Sequence, residues 1–233
     1  MIIEFFGLPG SGKTTVYKCL LQSNEDDLSF TKFNADKLHT DRWSLLLRFL
    51  KPLSMFNLLQ FIYMVIRISG FSDLPGKIYK YSAYWFVYNR DYVQCQNNDD
   101  TYILYQQNIF NMILSVLHLN EEVSEKQIQK MVNFFLPHTD NFILVITELD
   151  VETVAKRISN RPTSGSRFDS YEDEELIVNL SKLYRNFERL KKIIYKNNIK
   201  TIELDMHNSV KENTAVICRY LENQKRNNNV KSL

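Results

Sequence analysis

The run Gly7-Leu8-Pro9-Gly10-Ser11-Gly12-Lys13-Thr14 carries three glycines, a lysine and a hydroxyl residue at a spacing suited to gripping a chain of phosphates. It fits G-x-x-x-x-G-K-[ST] at every position. A loop that curls around a phosphate must turn several backbone N–H groups inward, and small residues leave room for the oxygens. Lys13 is expected to reach the β- and γ-phosphates of a nucleoside triphosphate. The Thr14 hydroxyl is expected to ligate Mg²⁺. Pro9, Ser11 and Thr15 complete the lining. The helix that follows would aim its positive end at the phosphates.

Other candidates are charged residues far along the chain. Arg157 precedes, and Arg161 and Arg167 lie within, a polar segment, about 161–170, rich in Ser, Gly and Pro. Phosphoryl transfer spreads negative charge over the group in flight, so arginines on a closing loop would stabilise it and exclude water. One helical turn from Arg157 to Arg161, an i to i+4 step, would set them on one side. The competing reading is solvated surface charge, or pairing with Glu152 and Asp169. Asp36, in Phe33-Asn34-Ala35-Asp36, is the first candidate for a carboxylate near an acceptor hydroxyl, and Asp41 the second. Each could equally cap a turn or helix. The histidines show no metal-ligand spacing.

The elements that must hold these groups follow from hydrophobic periodicity. Ile2 to Phe6 reads as a buried central strand, with Glu4 out of place in it; a paired carboxylate at one end of the sheet is the ordinary explanation. Helix is expected over Lys13–Ser23, then strand over Phe30–Phe33, Thr101–Tyr105, Phe142–Thr147 and Ile199–Leu204. Between them, helices are expected over Ile109–Leu119, Lys126–Leu136 and Val151–Asn160, the last capped by Asp150. Leu176, Leu180, Leu183, Phe187, Leu190 and Ile194 mark a long amphipathic helix, with Ser170 and Asp173 resembling a capping box at its start. A final helix spans roughly Ser209 to Glu222, and the tail after Gln224 reads as frayed. Strands alternating with helices imply a five-stranded parallel sheet covered on both faces, a three-layer α/β sandwich. A Leu-, Phe- and Tyr-rich stretch, about 43–96, reads as a helical insertion between strands two and three of one domain. Its aromatic residues would pack a subdomain or line an acceptor pocket.

Composition narrows the classes. The chain has 233 residues, is 44% hydrophobic and 24% charged, and carries a net charge of +2. Those values suit a globular protein and argue against wholesale nucleic-acid binding, although the basic tail leaves a nucleic-acid end kinase as a weak option. Cys19, Cys95 and Cys218 are too scattered for a metal site and read as reduced core residues of a cytoplasmic protein. No signal-peptide pattern precedes Ile2. The apolar run Leu53–Ile66 is shorter than the roughly 20 residues of a spanning helix, so it reads as a buried helix, with peripheral membrane contact the minority reading.

A phosphate loop alone does not choose among kinases, GTPases and ATPases. Phe142–Thr147 is followed by Glu148-Leu149-Asp150 rather than a guanine-reading Asn-Lys-x-Asp, and the third strand lacks a terminal Asp-Glu. With Gly7 to Thr15, the Arg157-x-x-x-Arg161 spacing, and Arg167-Phe168-Asp169 before a helix bearing Tyr184, the chain resembles the phosphate-loop nucleoside and nucleotide kinases, thymidylate-kinase-like branch. The matching stretches cover about a third of the chain. The resemblance implies an ATP- and Mg²⁺-dependent kinase acting on a nucleotide, nucleoside or sugar-like acceptor, with Arg157, Arg161 and Arg167 as lid arginines, Asp36 at the acceptor, and a homodimer as a compatible assembly. The family commonly places an acidic residue just after the third strand. This chain has Gln106-Gln107 there. Glutamine can hydrogen-bond but neither accepts a proton nor neutralises Mg²⁺. The alternative is therefore a nucleotide-binding protein without efficient phosphotransfer, acting as a regulatory or interaction module.

Overall fold

The computed structural model describes residues 1–23, 28–32, 59, 63, 66, 95, 101–136, 139–161 and 168–231. Asp36, Asp41, Arg167 and nearly all of the expected 43–96 insertion lie outside the described residues. Leu59, Tyr63, Ile66 and Cys95, the described members of that stretch, are helical.

Five strands form one sheet: β1 (Ile2–Gly7), β2 (Ser29–Lys32), β3 (Thr101–Tyr105), β4 (Phe142–Glu148) and β5 (Lys200–Asp205). Their order is β2-β3-β1-β4-β5, and every pairing is parallel. β1 and β4 sit inside the sheet, which explains their unbroken apolar runs: a strand covered on both faces has no solvent side on which to alternate. β5, at an edge, does alternate, burying Ile202 and Leu204 between exposed Glu203 and Asp205.

Among the described residues six continuous helices cover the sheet: α1 (Lys13–Gln22), α2 (Ile109–Leu117), α3 (Glu125–Phe135), α4 (Val151–Ser159), α5 (Asp173–Lys196) and α6 (Val210–Lys231). α1 packs on α6, while α2, α3 and α4 each pack on α5, giving the two outer layers of the sandwich. The apolar positions expected on α5 are all buried, with Leu180, Leu190 and Ile194 at 0% exposure. Asp150 caps α4 as anticipated, its Oδ1 accepting from Thr153 N at 2.7 Å. None of the three cysteines is in a disulfide. No helix among the described residues is long and apolar enough to cross a membrane.

Three local expectations are corrected. No Ser170 capping box starts α5; its N-cap is Glu172, whose side chain makes no cap bond, and Asp173, Glu174 and Glu175 instead place negative charge against the helix's positive end. The last helix runs on to Lys231 rather than ending near Glu222. Arg161 lies beyond the end of α4, so helical spacing does not set it beside Arg157.

Glu4 is the fourth departure. It sits on a central strand at 0% exposure, and no ion pair to it is found among the described residues. Its Oε1 accepts from the backbone N–H of Asn108 at 3.1 Å, Phe110 at 2.9 Å and Asn111 at 3.2 Å, and from Asn111 Nδ2 at 3.2 Å. The carboxylate therefore serves as a remote cap for α2, satisfying N–H groups that the helix cannot satisfy itself. Burial raises its pKa to about 7 against the opposing pull of those N–H donors.

Candidate active site

The sequence from β1 into α1 forms a tight strand–loop–helix turn. Gly10 and Gly12 adopt φ of 85° and 97°, the left-handed region that side chains disfavour, and Gly12 serves as N-cap of α1 without any side-chain cap bond. No acidic residue occupies the first turn of α1. Among the described residues the positive end of α1 is therefore offset by neither a side-chain cap nor a first-turn acid. Gly7 is required for a different reason. A Cβ there would stand 2.1 Å from Thr147 Oγ1 and 2.7 Å from the Thr147 carbonyl, because the ends of β1 and β4 press together.

Lys13 is folded back onto this loop. Its Nζ donates to Gly7 O at 2.8 Å and Leu8 O at 2.6 Å, and more weakly to Ser11 Oγ at 3.4 Å. Thr147 Oγ1 donates to Phe6 O at 3.2 Å, which uses its one proton. Ser11 Oγ, 2.8 Å away, must therefore be the donor to Thr147. A directed chain of hydrogen bonds runs from the lysine through Ser11 and Thr147 to the β1 backbone. Burial, with the Arg161 charge adding to it, brings Lys13 down to about 7.

The arginines approach from the opposite side. Arg157 Nη2 donates to Met206 O at 3.2 Å and its Nη1 to Ser11 O at 3.4 Å, so the guanidinium spans the loop and the turn after β5. Arg161 Nη1 lies 3.9 Å from Asp169 Oδ1, the pairing raised as the competing reading of this charge. A Cβ on Gly10 would nevertheless lie only 3.5 Å from Arg161 Nη2, so the same side chain also borders the loop. Lys13, Arg157 and Arg161 converge on the glycine cradle although over a hundred residues separate the lysine from the arginines.

Between these groups opens a cleft of about 1020 Å³. It lies beyond the C-terminal ends of the strands, where parallel α/β sheets place their ligands. One end is built by Gly7, Pro9, Gly10, Gly12, Lys13, Thr14 and Thr15 of the glycine-rich loop and the start of α1. Its other end is built by Asn108, Asn111, Met112 and Ser115 of the β3–α2 segment, with Phe168 and Leu183. Met206 and Asn208, after β5, close the side near Arg157. Ser11, fully buried, supports the loop from beneath.

Sequence reasoning missed several of these residues. Thr147 is the polar end of an apolar strand, a signal that was there to be read. Asn108 and Asn111 begin a helix after a strand, where polar side chains usually mean caps, so nothing set them apart. Gln106 was noted only as a lost carboxylate. Its Nε2 in fact donates to the Thr14 hydroxyl at 2.5 Å.

No protein-family model matches the chain, and no curated protein does. Solved structures do match. Deoxyadenosine kinase from M. mycoides with bound dATP aligns at a TM-score of 0.52 and 16% identity, covering 95% of this chain and 100% of that one. The same enzyme with bound dCTP aligns at 0.51 and 17%, covering 96% and 100%. With its products dCMP and a flexible dCDP bound, it aligns at 0.50 and 16%, again covering 96% and 100%. The fold is similar to that of this nucleoside kinase, within the group that the sequence resemblance pointed to. At these identities the likeness defines architecture.

Proposed function

We propose that this chain is an ATP-dependent kinase that transfers the γ-phosphate to a hydroxyl or phosphate oxygen of a small acceptor, a nucleoside first and a nucleotide or sugar next. The observation that carries the reading is the convergence of Lys13, Arg157 and Arg161 on the Gly10–Gly12 cradle at one end of a cleft large enough for two ligands. Likeness to kinases solved with dATP and dCTP supports a nucleoside as the first choice of acceptor.

The residues present fit a magnesium–triphosphate. The helix start is open, the cradle is lined by glycine, and the exposed Thr14 hydroxyl is the hard oxygen donor that Mg²⁺ prefers. When bound, the ion would neutralise charge on the phosphates. Lys13 would leave its loop carbonyls for the β- and γ-oxygens. Arg157 would hold the nucleotide against the turn after β5, and Arg161 would face the transferring group. Arg167 joins them in the segment 161–170, and Asp36 orients the acceptor, both by proposal from sequence. The thymidylate-kinase-like branch, cytoplasmic location and a homodimer stay within the same proposal.

The test is titration with a non-hydrolysable ATP analogue and Mg²⁺, followed by a screen of nucleosides, nucleotides and sugars for ADP release. Acceptor-dependent release supports the kinase. ATP turnover indifferent to every acceptor counts against it. A second reading, nucleotide binding without efficient transfer, is favoured by the neutral amide of Gln106 at the end of β3. Nucleotide affinity without turnover, unchanged by Asp36→Asn, would support that reading; turnover abolished by Asp36→Asn would remove it.

A further inference from the structure

Gln106 has a place in the site that neither its neutrality nor its position in the sequence suggests. β3 ends at Tyr105, paired in register with Glu4 of β1. The next side chain turns across the mouth of the phosphate loop and donates from Nε2 to Thr14 Oγ1. Its neighbours are locked. Tyr105 is 1% exposed, and so is Asn108, whose backbone N–H is held by Glu4. The amide is therefore presented to Thr14 from a two-residue bend held between buried Tyr105 and buried Asn108.

A hydroxyl offers one proton and two lone pairs. Gln106 engages one lone pair of Thr14. The other is left for a cation, and the proton for a phosphate oxygen or water. Among the described residues no group of three His, Cys, Asp or Glu is placed to hold a metal. Mg²⁺ in nucleotide sites commonly needs only one or two protein ligands, with phosphates and water completing its shell.

We propose that Gln106 is a positioning residue for the divalent cation of the nucleotide complex. This rests on the reading above that the loop holds a magnesium–triphosphate. The neutral amide orients the Thr14 hydroxyl without adding charge, so the triphosphate supplies the negative charge that retains the ion. It follows that metal-free nucleotide binds with little penalty here, and that nucleotide affinity gains less from metal than it would with a carboxylate at the same position.

The experiment uses the full chain as wild type, Gln106→Glu and Gln106→Ala, with Gln106→Asn as the conservative variant. A non-hydrolysable ATP analogue is titrated calorimetrically with Mg²⁺ and again with EDTA. Mn²⁺ bound in the ternary complex is followed by electron paramagnetic resonance. The glutamate variant should raise the ratio of affinities with and without metal by on the order of tenfold, since it adds a unit charge beside a divalent ion. The alanine variant should weaken Mn²⁺ several-fold while leaving affinity in EDTA within about twofold of wild type, a split that general structural damage would not produce. If the ratio is the same in wild type and all three variants while the analogue still binds, the role of Gln106 is overturned and the phosphate-loop reading survives. If wild type binds the analogue under neither condition, both are overturned.

Discussion

The ammonium of Lys13 lies 2.6 Å from the carbonyl oxygen of Leu8, inside the loop that it would leave to hold a triphosphate under the proposed function. With the bonds to Gly7 O and Ser11 Oγ, this contact uses the donors of the ammonium within the loop. Each carbonyl bond given up on binding must be replaced by a stronger one to a phosphate oxygen, and charge-assisted bonds to phosphate are of that kind.

Removing the ammonium should therefore cost affinity rather than structure. Lys13→Ala should weaken the ATP analogue by roughly 10- to 100-fold, the size of about one or two charged hydrogen bonds. It should fold, because a buried charge is removed. Calorimetric titration beside a thermal melt separates the two effects. Unchanged affinity in a folded variant would defeat the phosphate-loop assignment.

Lys13 also makes binding sensitive to pH. In the free protein it is lowered from 10.5 to about 7. A triphosphate favours the charged form and lifts the value again. At pH 8 the free lysine is mostly neutral, so binding should take up a proton. At pH 6 it is already charged, and uptake by this group should vanish. Calorimetry in buffers of different ionisation enthalpy reads the difference, and Lys13→Met should abolish it.

Glu4 predicts a pH effect on stability. Its value is raised from 4.5 to about 7 on folding. Between those values the folded chain holds a proton that the unfolded chain has lost. The contribution is full below 4.5 and declines as pH rises through 7. The total is about 3 kcal/mol as an order of magnitude. Glu4→Gln keeps an oxygen acceptor for the α2 N–H groups and cannot ionise. Its melting temperature relative to wild type should therefore be higher at pH 8 than at pH 5. An equal offset at both would mean that Glu4 does not titrate in that range.

Gly7→Ala should destabilise by about 1–3 kcal/mol through overpacking, since the new methyl meets backbone as well as the Thr147 side chain. Chemical denaturation measures it. A loss of nucleotide affinity with full stability would instead place the strain in the loop alone.

Arg161→Ala should lower turnover at least tenfold with a smaller change in nucleotide affinity, if the guanidinium acts on charge that develops only during transfer. Arg157→Ala should act mainly on affinity, because its contacts with Ser11 O and Met206 O set the wall of the nucleotide end. Steady-state kinetics on the acceptor found by screening, with calorimetry beside it, distinguishes these patterns.

Much of this architecture is legible in the chain. The unbroken runs Ile2–Phe6 and Phe142–Thr147 declare strands covered on both faces, and the spacing from Leu176 to Ile194 declares α5. Those signals are local, because burial of consecutive or helically spaced positions leaves its period in the sequence. The phosphate loop is local too, since strand, turn and helix start lie within Ile2 to Thr15. The extent of α6 was misjudged because polar composition does not by itself end a helix.

What depended on the meeting of distant segments could not be read this way. Arg157 and Arg161 reach the loop because β4 pairs directly with β1, which brings the helix after β4 beside the helix start at Gly12. Glu4 looked misplaced in a buried strand until α2 supplied N–H donors from over a hundred residues away. Gln106 reads in sequence only as the lack of a carboxylate; its amide meets Thr14 because the end of β3 lies beside the start of α1. The sequence determined the elements and the glycine-rich turn from β1 into α1, since both arise from neighbours along the chain. Tertiary structure decided which polar groups oppose one another across the cleft, because hydrogen bonds and charges act over a few ångströms of space whatever the separation in sequence.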